Sequence, residues 1–472
     1  MSAPLRQCRF SFNLELVSVT HVGSGETGTL GKLCENSASR KKALKTVQQR
    51  NREPDPRPEE AQVMLLQRGA DGLPLLPGTA LKGAMRALAR RAGLGPEVEE
   101  CLFGASQVTT QDKAREGHMW LWPALAEPCS APADSDLPFY DARACSFVLT
   151  GIRLDEQRMA VQHNFLYQVE MLPPGLRFRC RGLWMGDVDS FEVEVLPLLN
   201  LMASEEGFPL AAGSGYGFGR ARLAGEKVEL RELRYLPLPP WHEEWQKEVR
   251  VTPRMPDAAI DIRFDLTCAG PFIIVDPTRA GGAQEPDLRT LQLRNGKPVL
   301  TGKALLQALR RKVAWREALR QVEGVGCDYK GLKLDKPDEL VKDRAEADKL
   351  SATQRLFGVT GWRKRLEVAG LSLHWDARKV HRSQGIQLDV FTQGPMEGAL
   401  VDVECPADVT ARVHLRLWPE KLRDEDVALL RETLEGLAEE GPGALQLGHG
   451  GGAGFGWFEV RNLQWEEHGE AA

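Results

Sequence analysis

The chain has 472 residues, long for one hydrophobic core and comfortable for two domains of roughly 200–250 residues. A formal charge of −5 excludes nucleic-acid binding through a globally basic field, so any such contact must use local patches. Nine cysteines without a CxxC pair and nine histidines without an HExxH or HxxxH pattern argue against a disulfide framework, a zinc ribbon or a zinc hydrolase. With no secretory signal and no apolar run long enough to span a membrane, a cytoplasmic protein with reduced thiols is expected.

The first predicted element is an alternating strand, Arg9 to Val17, running into a glycine turn at His21–Glu26. His21 is open to two readings, a phosphate or base contact and a structural histidine at a strand end. Residues 27–60 show no apolar period and carry Arg40, Lys41, Lys42, Lys45, Arg50 and Arg52. A long, mobile, basic insertion is expected there, either a solvated loop or a nucleic-acid contact. Gln62–Leu66 reads as a short strand, and Leu76-Pro77-Gly78 feeds a helix with Thr79 as its N-cap. Leu81, Met85 and Leu88 mark its buried face, while Lys82, Arg86, Arg90 and Arg91 fall elsewhere. Cations near a helix start, where backbone N–H groups are free, suit a phosphate backbone. Lys82 and Arg86 are therefore phosphate-contact candidates, against the plain alternative of a solvated face.

Next come Leu102-Phe103-Gly104 and Asp141-Ala142-Arg143, then strands around Phe147–Leu149 and Leu176–Trp184 with an excursion between them at Leu154–Leu172. A helix from Leu196 to Met202 leads to the glycine-dense loop Ala212–Arg220. Glycine at this density permits positive φ and lets backbone amides approach an anion. Gly213, Ser214, Gly215 and Tyr216 are candidates on that ground, with a tight turn as the alternative. The proline-rich stretch from Leu236 and the polar residues to Pro256 read as a linker. The first domain is then 1–245, the linker 246–258 and the second domain 259–472.

The second half repeats these words in the same order. A strand Ile260–Thr267 precedes a loop at Gly281–Arg289 and a basic helix opened by Leu300-Thr301-Gly302-Lys303, with Arg310 and Arg311 further along. A charged stretch over about 317–350 is expected to form an inserted helix pair. Leu356-Phe357-Gly358 and Asp376-Ala377-Arg378 follow. An amphipathic helix from Asp424 aligns Val427, Leu430, Leu434 and Leu437. The second glycine loop, Leu447–Trp457, contributes Gly448, His449 and Gly450 as candidates. Four landmarks in one order argue for a duplicated domain. Strand, helix, strands, helix, strand in each half suggests a ferredoxin-like α+β unit with an antiparallel sheet. A nucleotide-binding enzyme is a poor fit, because GxxxxGK[ST] is absent and the first glycine loop lacks a strand-to-helix setting.

Together these words resemble the RAMP superfamily of CRISPR-associated proteins, and more narrowly the backbone subunits of type III effector complexes. The elements that carry the resemblance are the strand into His21-Val22-Gly23, the turn and helix Pro77–Gly83, the two repeated words, the glycine loops and Phe391–Leu400. It covers both halves, as two such units fused in tandem in a type III-D-like arrangement. The resemblance implies two modified RRM-like domains, each with a projecting thumb hairpin. Leu154–Leu172 and Lys379–Gly394 are the thumb candidates, with an ordinary hairpin as the alternative. The implied partners are a CRISPR guide RNA, complementary target RNA and other effector subunits, with target recognition by pairing to the guide.

The resemblance also implies metal-dependent cleavage of target RNA by an aspartate in the loop between the first strand and the basic helix. The matching position in the second domain is Asp287, with Glu285 as second choice. Asp287 would hold Mg²⁺ or orient the RNA 2′-hydroxyl. The first domain carries Gln62 at the corresponding place, with Glu59, Glu60 and Asp55 before it, which leaves that domain to bind RNA with its cutting open. The alternative from another class is a purely structural RNA-binding subunit. A repeat-processing endoribonuclease ranks last, since His21, His163 and His381 form no recognisable set.

Overall fold

The computed structural model describes residues 6–50, 57–105, 116–127, 137–154, 161–211, 213–235, 242–254, 256, 259–275, 288–292, 298–320, 350–359, 361–388 and 395–467. Each half is organised around one alternating strand. In Arg6–Leu16 every second side chain, Cys8, Phe10, Phe12, Leu14 and Leu16, is buried on one face, as the two-residue period of a strand requires. It lies between Arg220–Tyr235 and Arg177–Trp184, antiparallel to both. In the second half Ile260–Pro271 buries Ile262, Phe264, Leu266 and Cys268 between Pro395–Leu417 and Trp457–Glu467, again antiparallel to both.

The same helices cover both sheets. A basic helix (Gly78–Arg91; Gly302–Arg320) is followed by a short helix ending in Leu-Phe-Gly (Pro96–Phe103; Ala352–Phe357). A further helix (Leu196–Met202; Asp424–Glu440) precedes each glycine loop. Their apolar faces close two separate cores, one around Phe10 and Phe178, the other around Phe264 and Phe458. Full burial of each such side chain contributes about 1.5–3 kcal/mol. The expected α+β architecture, repeated in tandem, is the one observed.

Each half also sends out a hairpin where a thumb was expected. Phe147–Leu154 pairs with Val161–Met171 in a four-stranded sheet completed by Gly23–Thr29 and Gln62–Leu66. In the second half Val380–Leu388 pairs with the start of Pro395–Leu417, and that strand continues into the core sheet. The second hairpin is thus an extension of the core. The tips at 155–160 and 389–394 lie outside the described residues.

Several expectations are corrected. Residues 27–60 are not one mobile loop: Leu30–Glu35 and Ala38–Arg50 are helices. Leu30, Cys34, Leu44 and Val47 pack against Val63, Phe139 and Val148; each pair has helical spacing, but one helix is short and in the other the charged Arg40 takes a buried place on the apolar face. Arg40 is buried there. Its guanidinium reaches Glu170 at 3.2 Å, which also takes Arg68 at 2.5 Å and the Ser146 hydroxyl at 2.7 Å. Burial alone would raise the Glu170 carboxyl, but these cations and hydrogen bonds hold it below the usual carboxylate range. Residues 246–250, assigned to the linker, belong to the strand His242–Arg250, paired with Arg220–Tyr235. The first basic helix is preceded by Pro77, not capped by Thr79. Residues 321–349, most of the charged insertion, lie outside the described residues.

Buried ion pairs join the two halves. Arg91, from the first basic helix, grips Glu367 of the second half through two bonds of 3.0 and 2.7 Å, and its guanidinium lies 4.8 Å from the Trp418 ring centre. Glu206 meets His414 at 3.2 Å and Arg416 at 3.5 Å, and both of these also reach Asp261. Removing one partner of a buried pair strands the other charge. Arg91→Met is therefore expected to lower stability by about 3–5 kcal/mol in urea unfolding, and Arg91→Met with Glu367→Leu to recover most of it. A double variant no more stable than the single one would show that Glu367 does not depend on Arg91.

Candidate nucleic-acid interface

The two glycine loops share one backbone. Short turns, Ser214–Tyr216 and Gly451–Ala453, are each bracketed by left-handed glycines, Gly213 (φ 78°) and Gly217 (φ 79°) in the first, Gly450 (φ 80°) and Gly454 (φ 85°) in the second. Side chains at those positions would be strained, which explains why both loops keep glycine there. Their surroundings differ. In the second loop Gly448, His449, Gly452, Ala453, Gly454 and Trp457 are exposed. The first loop is instead packed on the second half. The Tyr216 carbonyl lies against Gly302, at the start of the second basic helix, so closely that a Cβ on Gly302 would sit 2.2 Å from that oxygen. Gly217 rests on Val368, the Lys364 side chain crosses Gly215, and the Lys364 Nζ lies 2.9 Å from the Tyr216 ring centre.

The first basic helix is built the same way with a local partner. Gly78 there meets the carbonyl of its own domain's Leu121, 2.1 Å from where a Cβ would stand. Arg86 and Arg310 are also equivalent. Each donates to the carbonyl of the glycine in the following Leu-Phe-Gly word, Arg86 to Gly104 at 2.5 Å and Arg310 to Gly358 at 2.9 Å. Arg86 also lies 3.4 Å from Glu99 and over the Phe103 ring. Both guanidinium groups thus close the end of a neighbouring helix, a packing use distinct from the phosphate contact expected of them. Lys82 is half-buried, and burial together with the nearby Arg86 charge pushes its amine down. Lys303 and Arg311 are half-buried on the helix that buries Arg310. The Asp-Ala-Arg words are turns: Asp141 and Asp376 accept the amides of Arg143 and Arg378 at 2.9 and 3.0 Å.

The remaining candidates are dispersed. His21 Nδ1 lies 2.8 Å from the Glu170 carbonyl, beside the first hairpin. His449 donates its amide to Ile273 at 2.9 Å and leaves its ring exposed. Asp287 and Glu285 lie outside the described residues. The next two, Leu288–Arg289, run parallel to Val403–Glu404 and fix the end of that loop on the strand that carries the second hairpin. Among the described residues no three His, Cys, Asp or Glu side chains are close enough to share a metal ion.

A cluster of cations at the joint escaped the sequence reading. It stems from Trp362-Arg363-Lys364-Arg365, directly after the second Leu-Phe-Gly word, a basic run that could have been noticed. Burial pushes the Lys364 amine down to about 7; Arg363, Arg310 and Lys303 add to the depression, and Glu367 opposes it. Lys364 lines a cleft of about 620 Å³ between the halves, together with the first glycine loop and one face of the first basic helix.

Residues 13–222 and 272–459 each match the RAMP superfamily. The chain belongs to that superfamily, with two units in tandem. No curated protein matches the sequence. Among solved structures, it is similar to a chain of the cryo-EM structure of the Type III-B Cmr-beta bound to cognate target RNA, at 15% identity over 48% of this chain and 61% of that chain, with a TM-score of 0.29. It thus spans less than two thirds of that chain's length. It is also similar to a chain of the crystal structure of the Csm3-Csm4 subcomplex in the type III-A CRISPR-Cas interference complex, at 14% identity over 53% and 92% of the two chains, with a TM-score of 0.28.

The contact at Gly302 is directly testable. Gly302→Ala is expected to cost about 1–3 kcal/mol through overpacking and to loosen the joint, seen as faster limited proteolysis between the halves and a larger scattering radius. Gly452→Ala, with nothing within 4 Å of the added methyl, should match the parent. Equal behaviour of the two variants would remove the Tyr216–Gly302 contact from the joint.

Proposed function

We propose that the chain is a guide-RNA-binding backbone subunit of a type III CRISPR effector complex, with metal-dependent cleavage of guide-paired target RNA in its second domain. The observation that carries this reading is the repetition itself: two RAMP units, each with basic helix, glycine loop and hairpin, joined with the first unit's loop on the second unit's helix. Repeated parts suit a long, regular ligand read by its backbone, and RNA whose sequence is recognised by base pairing is such a ligand. The proposed partners are the guide RNA, its complementary target and further effector subunits, in the cytoplasm.

Asp287 is the proposed catalytic residue because it stands where the resemblance expects the aspartate, between the first strand and the basic helix; the two residues after it pair with the strand of the second hairpin. Its carboxylate would hold Mg²⁺, which supplies charge stabilisation to the phosphoryl group, or would orient the 2′-hydroxyl. The alternative, a purely structural subunit, is favoured for the first domain by Gln62, an amide at the place where the second domain has Asp287.

Co-expression with the neighbouring genes and a CRISPR array, followed by sequencing of the co-purifying RNA, tests the reading. Short RNAs of uniform 5′ end matching the array are expected; random cellular RNA, or none, would sink it. In the assembled complex Asp287→Ala should slow target cleavage by about 10²–10⁴-fold with assembly intact. Unchanged cleavage in that variant would leave the structural alternative.

A further inference from the structure

The cations in the cleft between the two units have no role in the reading above. One wall is the small-residue face of the first basic helix, Gly83, Ala84 and Ala87; the first glycine loop and the stretch around Trp362, Arg363 and Lys364 form the others. Among the described residues the Lys364 Nζ is buried with no hydrogen-bond acceptor, and the Tyr216 ring faces it with its centre 2.9 Å away. An aromatic face stabilises a cation only in part. The carboxylate that acts on Lys364, Glu367, is already engaged: both oxygens bond Arg91, and the Trp418 indole lies 3.3 Å from one of them. Arg363, half-exposed, stands 3.8 Å from the same carboxylate. Lys303 and Arg310 add positive potential from the second basic helix. The joint therefore holds more cationic than anionic groups around a space of about 620 Å³, a volume that suits a nucleotide-sized ligand.

We infer that this cleft binds a phosphate group, held by Lys364 and Arg363. The phosphate has two sources, the diester of an RNA strand crossing the joint or the monoester of a free nucleotide. The first source rests on the functional reading above; the second does not. Binding carries a protonic signature. With its amine pushed down to about 7, Lys364 is mostly neutral at about pH 8 in the empty cleft, and a phosphate beside it favours the charged form. Ligand binding then takes up a proton at about pH 8. Uptake fades as pH falls through the depressed value, because the amine is already charged.

The test is titration calorimetry of the full chain with a short oligouridylate and with AMP, at about pH 8 in two buffers of different ionisation enthalpy. For whichever probe binds, proton uptake is expected, together with a loss of about tenfold or more in affinity in both Lys364→Met and Arg363→Gln. Lys364→Met should show no uptake. Lys364→Arg, which keeps the charge, should bind without uptake and thereby separates charge from a folding defect. A response to AMP assigns the site to a free nucleotide, and a response to oligouridylate alone assigns it to the RNA strand. Oligouridylate affinity unaffected by Lys364→Met and Arg363→Gln, with no AMP binding, would overturn the site and leave the RNA-binding reading standing. Binding of neither probe by the parent chain would overturn both, whereas AMP binding without oligouridylate binding would keep the site and count against the RNA reading.

Discussion

The missing side chain at Gly302 is the constraint on which the relation between the two halves depends. Only a glycine at that helix start admits the Tyr216 carbonyl so closely, and from that contact the rest of the joint follows. Tyr216 is set beneath Lys364, Gly217 settles on Val368, and the first basic helix is near enough for Arg91 to reach Glu367. Charges taken out of water are tolerable only when their partners are already in place. The packed loop supplies that preorganisation, and the ion pairs in turn oppose any sliding of one unit on the other.

His414 illustrates the electrostatic side of the joint. Burial pulls its imidazolium down, but Asp261 and Glu206 more than offset this, so its pKa is raised. A group raised in the folded state contributes stability below its ordinary range and loses it as pH rises through the raised value. Because Glu206 belongs to one half and Asp261 to the other, that contribution bears on the joint rather than on either core. Arg416, bonded to the same two carboxylates, keeps them partly compensated when His414 is neutral.

How much was legible in the sequence depended on whether a residue's role was local. The duplicated words, the central strands and the amphipathic helix from Asp424 follow from periodicity and turn chemistry, which act over a few residues. Arg86 and Arg310 were visible as repeated basic positions, yet their acceptors are carbonyls of a different helix, and no spacing rule reveals a contact of that kind. Arg40 looked like one charge of a solvated basic stretch because Glu170, its partner, lies far along the chain. Gly215 and Tyr216 read as an anion-approaching loop or a tight turn, and their packing went unseen for the same reason: the second half that covers them is invisible from their own neighbourhood. The equivalent second loop, with Ala453 where the first has Tyr216, shows what such a loop looks like with its surface exposed.

The choice of lysine at position 364 has its own logic. The chain is mildly acidic overall, so a cationic joint is a local feature imposed against the average composition. A guanidinium there would stay charged at any physiological pH and would need permanent partners. An amine can lose its proton when the surroundings do not support the charge, and its depressed value of about 7 shows that this environment does not support it fully. The joint can therefore keep Arg91 fully paired with Glu367 and still hold a second basic group without a carboxylate of its own. Tyr216 completes the arrangement. Its ring covers the amine while its carbonyl seats the loop, so one residue both closes the joint and adds to the burial of the lysine above it.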